Sequence, residues 1–423
     1  MNSIRFLFDK NTWQEIFGSI GKNKTRTIIT VIGVLWGIFI YIALAGAAKG
    51  MDNGFEKNFE TVAKNSIWAW SQSTSMPYAG FKTGRQLRLK VQDAIVLKNR
   101  IPEIQYIAPV NTRGAFGGAS ALTVRGIKSN SYAVYGYFPE IAKIATQKIY
   151  DNGRFINDED IAQARKVCVI GDRTQQELFD KDEDPIGGYI RVENIYFQVV
   201  GVHKFTQTTP FGTDGDIFIP FTTFKKLYNT GNDSQFFTIA AYDDADVVQV
   251  EKDIKAVLRS IHKVHPEDER AFGAFNLGEI FSKIMGFANG ITFLSLIVGI
   301  ATILAGVIGI GNILLISVKE RTKELGIRRA LGATPREVRS LIILESVFLT
   351  MIAGVIGIIL GAGVLSLINN LTKDINFPYT NPTVPIPYVL GALAIMIILG
   401  TLIGSIPAQR AVSIKPIDAL REE

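Results

Sequence analysis

SVKERTKELGIRRALGATPREVRS, residues 317–340, places a short and strongly charged segment between two long apolar runs. It contains seven Lys or Arg residues and three Glu residues. The uncharged runs beside it, residues 291–316 and 346–371, each exceed the roughly 20 residues with which a helix crosses a bilayer. The charged segment is therefore predicted to connect two membrane spans.

The order of residues in this connector predicts two helices joined by a tight turn. No helix breaker separates the preceding apolar run from the connector, so we expect the membrane helix to continue into it and to end at Gly332. Thr334 is then placed to cap a second helix, with Pro335 at its first position and Glu337 completing a capping box. Such a connector is stiff rather than disordered.

The first of these two helices carries charged residues beside apolar ones. Glu324 and Arg328 are four residues apart, in the order that favours an ion pair. A rigid basic helix that also presents Ile327, Ala330 and Leu331 suits docking into a groove of another protein. The alternative is a basic loop whose only role is to fix the orientation of the spans.

The composition is that of a membrane protein with a sizeable soluble part. The chain has 423 residues, of which 47% are hydrophobic, with 39 Gly and a mean hydropathy of +0.20. Cys168 is the single cysteine, which excludes an intramolecular disulfide and zinc sites of the CxxC type. The net charge of +6 comes without a long basic tail, so nothing indicates binding to nucleic acid.

Lys and Arg residues predict the orientation of the spans. Five of them precede the first apolar run and seven lie in the connector, whereas the segment between the last two runs contains only Lys373. Because cytoplasmic loops carry the excess of positive charge, we expect the connector and both termini in the cytoplasm. The small residues ALAGAA at 43–48 would also suit a cleaved signal peptide, but the apolar run is too long for one, so an uncleaved anchor is preferred.

The predicted organisation follows the chain from one membrane segment to the next. Trp13, Ile16, Phe17 and Ile20 lie at helical spacing and predict an interfacial amphipathic helix, with a simple topogenic leader as the alternative. The segments are a cytoplasmic amphipathic helix over 1–26, a first span over 27–48, a domain outside the cytoplasm over 49–285, a second span with extended ends over 286–317, the connector over 318–340, a third span over 341–371, a short outer loop over 372–385, a fourth span over 386–407 and a cytoplasmic C-terminus over 408–423.

Strand-like and helix-like segments alternate in the outer region, which predicts a mixed α/β domain. Polar and Gly-rich clusters at 113–120 and 206–215 predict loops. The predicted elements are strands over 66–73 and 166–171, a hairpin over 189–205 turning near Glu193 and Asn194, and helices over 91–101 and 244–264, the last with an Asp as its N-cap.

Residues that would carry out catalysis or bind a metal are few. His262 and His265 could share a helical face, but without an HExxH motif or a nearby cysteine a solvated helix end is the better interpretation. Cys168 lies in an apolar run typical of a buried small residue. The strand, Gly and helix of residues 167–179 lack a GxGxxG motif, and Gly21-Lys22 is not part of a Walker A loop. We therefore predict no catalytic residue, metal site or cofactor in this chain.

Glycine pairs at GxxxG spacing occur in three of the four spans, and such pairs let helices approach closely in lipid. Because Gly is common in membrane helices, chance is the alternative, but three pairs favour helix-packing surfaces. Glu345, near the start of the third span, is expected to reach the interface or to be hydrogen-bonded. The pairs are Gly33/Gly37, Gly357/Gly361 and Gly400/Gly404.

Seven segments, in order along nearly the whole chain, carry a resemblance to a known family. Residues 310–347 resemble the central signature of the MacB/FtsX-like ABC transporter permeases, and residues 406–423 resemble their C-terminal ending. Residues 16–50 resemble the first span of the family. Residues 153–160, 167–172, 178–187 and 197–202 resemble its extracytoplasmic core domain.

The resemblance implies a four-span permease with a MacB-type periplasmic core fold that holds a smaller inserted subdomain. Family members work as dimers, and ATP-driven changes in the cytoplasm are transmitted along extended helices to the periplasmic domain. MacB itself carries an N-terminal ATPase domain, whereas only residues 1–26 precede the first span here, so we expect the ATPase, with its ATP and Mg, on a separate chain. The residues expected to couple to this ATPase are Glu320, Arg321, Glu324, Gly326, Ile327, Arg328, Arg329, Ala330, Leu331, Gly332, Ala333 and Thr334.

The expected function is that of a non-enzymatic permease subunit in the inner membrane of a bacterium. Its partners would be the ATPase and a second copy or a related permease. A periplasmic adaptor protein and an outer-membrane channel are the expected further components. Together they would drive efflux of drugs, peptides or other periplasmic substrates by mechanotransmission. The alternatives are lipoprotein release, as in Lol-type permeases, and FtsX-like regulation of a cell-wall hydrolase, against which the large outer domain argues.

Overall fold

The computed structural model describes residues 13–14, 16–18, 24–58, 62–146, 148–150, 152–181, 183–204, 212–372 and 379–413. The chain divides into two units, which we call the membrane domain (Met1–Phe55 and Met285–Glu423) and the α/β domain (Glu56–Ile284). The α/β domain begins later than the predicted residue 49, because the first membrane helix continues to Asn58.

Helices and strands alternate through the described residues. The helices are α1 (Lys24–Asn58), α2 (Val91–Arg100), α3 (Ile141–Ile144), α4 (Asp158–Gln163), α5 (Asp172–Leu178), α6 (Phe221–Tyr228), α7 (Val247–Ile261), α8 (Leu277–Glu320), α9 (Thr322–Ala330), α10 (Pro335–Thr372) and α11 (Ile386–Ser413). The strands are β1 (Ser66–Ser71), β2 (Leu89–Lys90), β3 (Ile104–Arg113), β4 (Ala121–Arg125), β5 (Lys128–Tyr132), β6 (Val134–Tyr137), β7 (Val167–Gly171), β8 (Tyr189–Val192), β9 (Ile195–His203), β10 (Ile217–Pro220), β11 (Asp233–Ser234), β12 (Phe236–Ala241) and β13 (Phe272–Asn276).

Four helices in the described part of the chain, α1, α8, α10 and α11, are long and apolar enough to cross a membrane. They contain the four predicted spans, and each extends beyond the predicted bounds at one end or both. The helix α8, for example, begins at Leu277 rather than at residue 286. Buried side chains such as Ile38, Val307, Ala353 and Met396 bring the four helices together in one apolar cluster.

The junction between α8 and α9 shows that the predicted continuous helix is wrong. The helix stops at Glu320, and Arg321 has a φ of −105° and a ψ of 17° before α9 begins at Thr322. The hydroxyl of Thr322 donates to the main-chain oxygens of Val318 (3.3 Å) and Lys319 (2.8 Å). The connector thus starts with a small break in the helix, at Arg321.

A mixed sheet forms the centre of the α/β domain. Among the described residues it has eleven strands in the order β13-β1-β12-β3-β6-β10-β7-β9-β8-β4-β5. The pairs β6–β10 and β7–β9 are parallel, and the other neighbours are antiparallel. The predicted mixed α/β class is confirmed.

Two apolar clusters lie along this sheet, among the described residues, and reveal an insertion. One packs α2 and α7 against β1, β12 and β13, with core residues between 67 and 104 and between 237 and 272. The other packs α5 and α6 against β6 to β10, with core residues between 121 and 224. The second and slightly smaller cluster is therefore formed by an insertion, because its residues lie in the chain between the two halves of the first cluster.

Two local predictions in this domain are confirmed. The hairpin of β8 and β9 turns at Glu193 and Asn194, and Glu193 has a φ of 54°. The carboxylate of Asp246 caps α7 by accepting a hydrogen bond from the N–H of Val248 (3.0 Å). The loop predicted over 206–215 lies partly outside the described residues.

The prediction of a solvated helix end for the two histidines is wrong, whereas the predicted burial of the cysteine is confirmed. His262 and His265 do not share a helical face, because α7 ends at Ile261. His262 is not solvated either, since its side chain is 13% exposed and its Nε2 lies 2.8 Å from the carboxylate of Asp93. Cys168 is fully buried, and this burial raises the pKa of its thiol.

Gly171, between β7 and α5, permits a close approach of two backbone segments. A Cβ at this position would overlap the main-chain carbonyl of Asp214 and would lie 3.1 Å from Nε2 of His203. The strand, Gly and helix of residues 167–179 therefore need the glycine for backbone packing.

A buried carboxylate makes the stability of the α/β domain depend on pH. Asp216 is 2% exposed and accepts hydrogen bonds from the N–H (2.7 Å) and the hydroxyl (2.5 Å) of Thr213. Burial raises the pKa of Asp216 to about 6. Because this folded-state pKa lies above that of an exposed aspartate, the folded domain binds the proton more tightly. The contribution of Asp216 to the stability of the domain therefore falls as the pH rises from about 4 to about 6.

We expect Asp216→Asn, which cannot ionise, to remove this dependence. The variant should gain stability over the native protein between about pH 4 and pH 6, by about 2–3 kcal/mol, and the gain should stay constant at higher pH. Unfolding midpoints of the two proteins across this range measure the effect. A difference that does not change with pH would contradict the expectation.

Candidate functional site

Gly332 ends α9 in the way that the sequence predicts. Its φ is 104°, a left-handed conformation in which glycine is preferred. The N–H of Ala333 donates to the main-chain oxygen of Arg328 (3.0 Å), and the N–H of Gly332 donates to that of Arg329 (3.2 Å). These two bonds form a Schellman motif, so the last carbonyls of α9 are satisfied.

A capping box starts α10, also as predicted. The N–H of Glu337 donates to the hydroxyl oxygen of Thr334 (3.4 Å), and the N–H of Thr334 donates to the carboxylate of Glu337 (3.1 Å). Pro335 occupies the first helical position. The turn between the two helices is therefore held by local hydrogen bonds on both sides.

One side of the connector is anchored to the ends of the membrane helices. The guanidinium of Arg329 donates to the main-chain oxygen of Val412 in α11 (2.7 Å). Apolar contacts surround this bond and hold α9 against α10 and α11. The buried cluster consists of Val318, Leu325, Val338, Ile342, Ala408 and Ala411.

The opposite side of α9 is exposed. Ile327 is 41% exposed and Leu331 is 84% exposed. Between them, Arg328 lies 3.6 Å from the carboxylate of Glu324, which confirms the predicted ion pair. Exposed apolar side chains with a polar rim are typical of a surface that binds another protein.

Exposed basic residues on α8, α9 and α10 give the connector its positive charge. A positively charged surface with exposed apolar side chains complements an apolar groove with acidic edges. The exposed basic residues are Lys319, Lys323, Arg328, Arg336 and Arg339.

The twelve residues predicted to couple to an ATPase differ in exposure. Gly326 is buried, and Arg321, Arg329 and Ala333 are partly buried, so these four belong to the anchored side or to the turn. The other eight are exposed. They are Glu320, Glu324, Ile327, Arg328, Ala330, Leu331, Gly332 and Thr334.

Glu345 lies next to the start of the connector and is buried within the membrane domain. Its side chain does not reach the surface, because the residue is only 7% exposed. Together with Ser317 and Arg321 it lines a cavity of about 20 Å³. The carboxylate is thus placed beside the break between α8 and α9.

The six glycines of the GxxxG pairs all lie where two membrane helices meet. A Cβ at Gly33 would lie 3.5 Å from Gly306 in α8, and a Cβ at Gly357 would lie 2.8 Å from the main-chain oxygen of Leu35 in α1. The missing side chains allow this close packing. The other four glycines face α8, α1 or α10 through Thr302 (Gly37), Ile42 (Gly361), Thr350 (Gly400) and Ser346 (Gly404).

Aromatic side chains before the first span pack onto α10. Residues 13–14 and 16–18 are helical, and Ile16 is 1% exposed. The rings of Trp13 and Phe17 lie 4.9 and 5.5 Å from the ring of Phe348. Most other residues of the amphipathic helix predicted over 1–26 lie outside the described residues.

Comparison with protein families agrees with this architecture. Residues 27–257 match the MacB-like periplasmic core domain, and residues 278–416 match the FtsX-like permease C-terminal domain. The membrane helices, the connector and the α/β domain thus define an ABC transporter permease. The chain belongs to the MacB/FtsX-like permease family, since the first match alone covers more than half of it.

Individual relatives cover almost all of this chain. A pyoverdine export ATP-binding/permease protein of Pseudomonas syringae pv. syringae is 29% identical over 98% of this chain and 61% of its own length. A macrolide export ATP-binding/permease protein, MacB of Bdellovibrio bacteriovorus, is 27% identical over 96% of this chain and 61% of its own length. The chain therefore spans about three fifths of these two relatives.

Two further similarities cover nearly the whole of the relative. An uncharacterized ABC transporter permease of Methanocaldococcus jannaschii is 26% identical over 96% of both chains. The solved periplasmic region of MacB from Actinobacillus actinomycetemcomitans is 21% identical, with a TM-score of 0.43 over 54% of this chain and 97% of that one.

Proposed function

We propose that this chain is the permease subunit of an ABC transporter whose ATPase docks on the exposed side of the connector. ATP hydrolysis by that partner moves the connector, and the membrane helices transmit the movement to the α/β domain. The output is efflux of substrates such as drugs or peptides. The chain itself performs no chemical reaction.

The construction of the connector is the observation that carries this proposal. A segment that transmits force must keep its shape. Here the Schellman motif at Gly332, the capping box of Thr334 and Glu337, and the bond from Arg329 to Val412 hold it rigid. The opposite side, with Ile327 and Leu331 exposed, is left free for a partner.

The length of α8 supports transmission of movement through the membrane. Its 44 residues correspond to about 66 Å, roughly twice the thickness of the hydrocarbon core. The helix follows directly on β13, the edge strand of the sheet, and ends one residue before α9. In the sequence, one continuous helix therefore links the last strand of the sheet to the connector.

A separate ATPase chain is proposed because the archaeal permease relative matches this chain over nearly its full length. The two export relatives are ATP-binding/permease proteins, which supports an ATPase as the partner and export as the output. We further propose a dimer with a second permease, in the inner membrane of a bacterium. The distribution of positive charge supports an orientation with the connector and both termini in the cytoplasm and the α/β domain in the periplasm. An adaptor and an outer-membrane channel are the proposed further partners there.

Charge reversal at Arg328 tests this proposal. Because Arg328 is exposed on the docking surface, we expect Arg328→Glu to lower permease-stimulated ATP hydrolysis about fivefold in reconstituted complexes. Lys226→Glu is the control, since Lys226 is exposed on α6 of the α/β domain. Unchanged hydrolysis with Arg328→Glu, or the absence of any co-purifying ATPase, would contradict the proposal.

A further inference from the structure

Four aromatic side chains of the α/β domain line one cavity. They are Trp68, Trp70, Phe116 and Phe236. The cavity has a volume of about 440 Å³, which falls in the range of small-molecule sites, roughly 300 to 1,000 Å³. Three of the rings come from strands of the sheet, and the fourth comes from the loop between β3 and β4.

The alternation of side chains along the strands places three of these rings on one face of the sheet. Ile67 and Ala69 belong to the apolar core beneath α2 and α7, so Trp68 and Trp70 lie on the other face. Phe236 lies directly opposite Trp70 on the neighbouring strand β12 and therefore shares that face. The sheet thus supplies a fixed aromatic wall.

The polar side chains that line the cavity already have hydrogen-bond partners within the chain. The hydroxyl of Ser71 donates to the main-chain oxygen of Leu87 (2.9 Å). The side-chain amide of Gln235 donates to the main-chain oxygen of Thr112 (3.0 Å), and its oxygen accepts from the hydroxyl of Thr112 (2.7 Å). Among the described residues that line the cavity, none is charged. A neutral apolar ligand therefore suits it better than a charged one.

Phe116 has an unfavourable backbone conformation. Its φ is 53° and that of Gly117 is 81°, and the N–H of Gly118 donates to the main-chain oxygen of Ala115 (3.0 Å). Two successive positive φ angles define a type I′ turn, in which Asn, Asp or Gly is preferred at both central positions. A bulky residue such as Phe is strained in this left-handed region.

Packing within the domain does little to offset this strain. Phe116 is 60% exposed, and its ring stands edge-on to that of Phe236, with 5.9 Å between the ring centres. An asparagine would suit the turn better than this half-exposed ring. Strained residues of this kind cluster at sites that bind ligands. The strain and the position of the ring at the cavity together indicate a functional role for Phe116.

We propose that this cavity binds a small neutral aromatic molecule. The ring of the ligand lies among Trp70, Phe236 and Phe116, which offer offset-stacked and edge-to-face contacts. Phe116 contributes to affinity because its ring forms a wall of the cavity that the strands do not provide. The proposal concerns binding by the α/β domain and does not depend on the ATPase.

The fluorescence of Trp68 and Trp70 measures this binding. The chain has four tryptophans, so Trp13→Phe and Trp36→Phe leave only these two to report. The full chain with both substitutions is placed in lipid nanodiscs, and 4-nitroanisole, a neutral aromatic quencher, is added. We expect this quenching to saturate, whereas quenching by nitromethane, which has no ring, should rise in proportion to its concentration.

Competition tests whether the cavity selects an aromatic ring. Anisole and methoxycyclohexane have the same methoxy group and the same number of ring carbons, but only anisole is aromatic. We expect anisole to displace 4-nitroanisole at about tenfold lower concentrations than methoxycyclohexane does, because only anisole makes aromatic contacts.

Substitutions at two matched turns locate the binding. Phe116→Asn removes the ring and suits the turn, so we expect an unchanged or higher unfolding midpoint and an affinity for 4-nitroanisole about fivefold lower. Phe116→Tyr keeps the ring and should bind as the native residue does. Ala79→Asn is the control, because Ala79 (φ 49°) and Gly80 (φ 84°) form another type I′ turn of the α/β domain. It should also keep or raise the midpoint, and it should leave the affinity unchanged.

Three outcomes would overturn the proposal. One is quenching by 4-nitroanisole that does not saturate. Another is equal affinity of Phe116→Asn and the native residue at this position, which would mean that the ring does not contact the ligand. The third is equal displacement by anisole and methoxycyclohexane, which would show that the cavity does not select an aromatic ring. If Phe116→Asn fails to fold, Phe116→Leu decides instead, because it keeps an apolar side chain without a ring and should also weaken binding.

Discussion

Leu331→Asp is expected to abolish the stimulation of the partner ATPase while the permease stays folded and in the membrane. Leu331 is 84% exposed, at the end of α9, so the change removes little packing within the chain. In the proposed complex this side chain enters an apolar groove, where an unpaired carboxylate is strongly unfavourable. We expect at least a hundredfold weaker association, about 3 kcal/mol.

Binding of the purified ATPase subunit to the permease in nanodiscs measures this effect. Leu122→Asp is the matched control, because Leu122 is 52% exposed on β4 of the α/β domain. The unfolding midpoint of each variant shows whether the fold is preserved. Normal ATPase binding by a folded Leu331→Asp permease would place the docking surface elsewhere.

Gly357→Leu is expected to disrupt the packing of α10 against α1. A Cβ at Gly357 would lie 2.8 Å from the main-chain oxygen of Leu35 and 3.2 Å from Cβ of Ile38. Because the nearest atom belongs to the backbone, α1 itself must move. Overpacking of this kind costs about 1–3 kcal/mol, and the remainder of a leucine side chain adds to it.

Gly363→Leu on the same helix is the matched control. A Cβ at Gly363 would meet nothing within 4 Å, and both substitutions raise the helix propensity of α10 equally. The difference between the unfolding midpoints of the two detergent-solubilised variants therefore reports the contact with α1. Equal midpoints would show that the glycine at 357 is not needed for packing.

Local signals explain why the turn of the connector was predictable. The left-handed glycine at 332 and the capping box of Thr334 and Glu337 depend on residues close together in the chain, and the structure has both. The N-cap at Asp246 is local in the same sense. Features of this kind are determined within one turn or one strand.

Contacts between distant segments were not predictable. The bond from Arg329 to Val412 joins residues 83 positions apart, and no spacing in the connector indicates that α11 will anchor it. The break at Arg321 falls in a stretch without Gly or Pro, so no helix-breaking residue marks it in the sequence.

Contacts between distant segments of the α/β domain were not predictable either. Its class follows from the alternation of segments, but the order of strands does not, since β13 pairs with β1 across most of the domain. One cavity, for example, is lined by Trp70, Phe116 and Phe236, which are far apart in the chain. Only the folded sheet brings these together.

Photo-crosslinking from position 331 tests the docking surface most directly. Leu331→Cys, labelled with benzophenone maleimide, places a photoreactive group on the exposed side of α9. The native Cys168 will not be labelled, because it is fully buried and burial raises the pKa of its thiol. Leu122→Cys, labelled in the same way, is the control on the α/β domain. Docking at the connector predicts an adduct with the ATPase subunit from position 331 and none from position 122; no adduct at 331, or equal adducts at both, would contradict it.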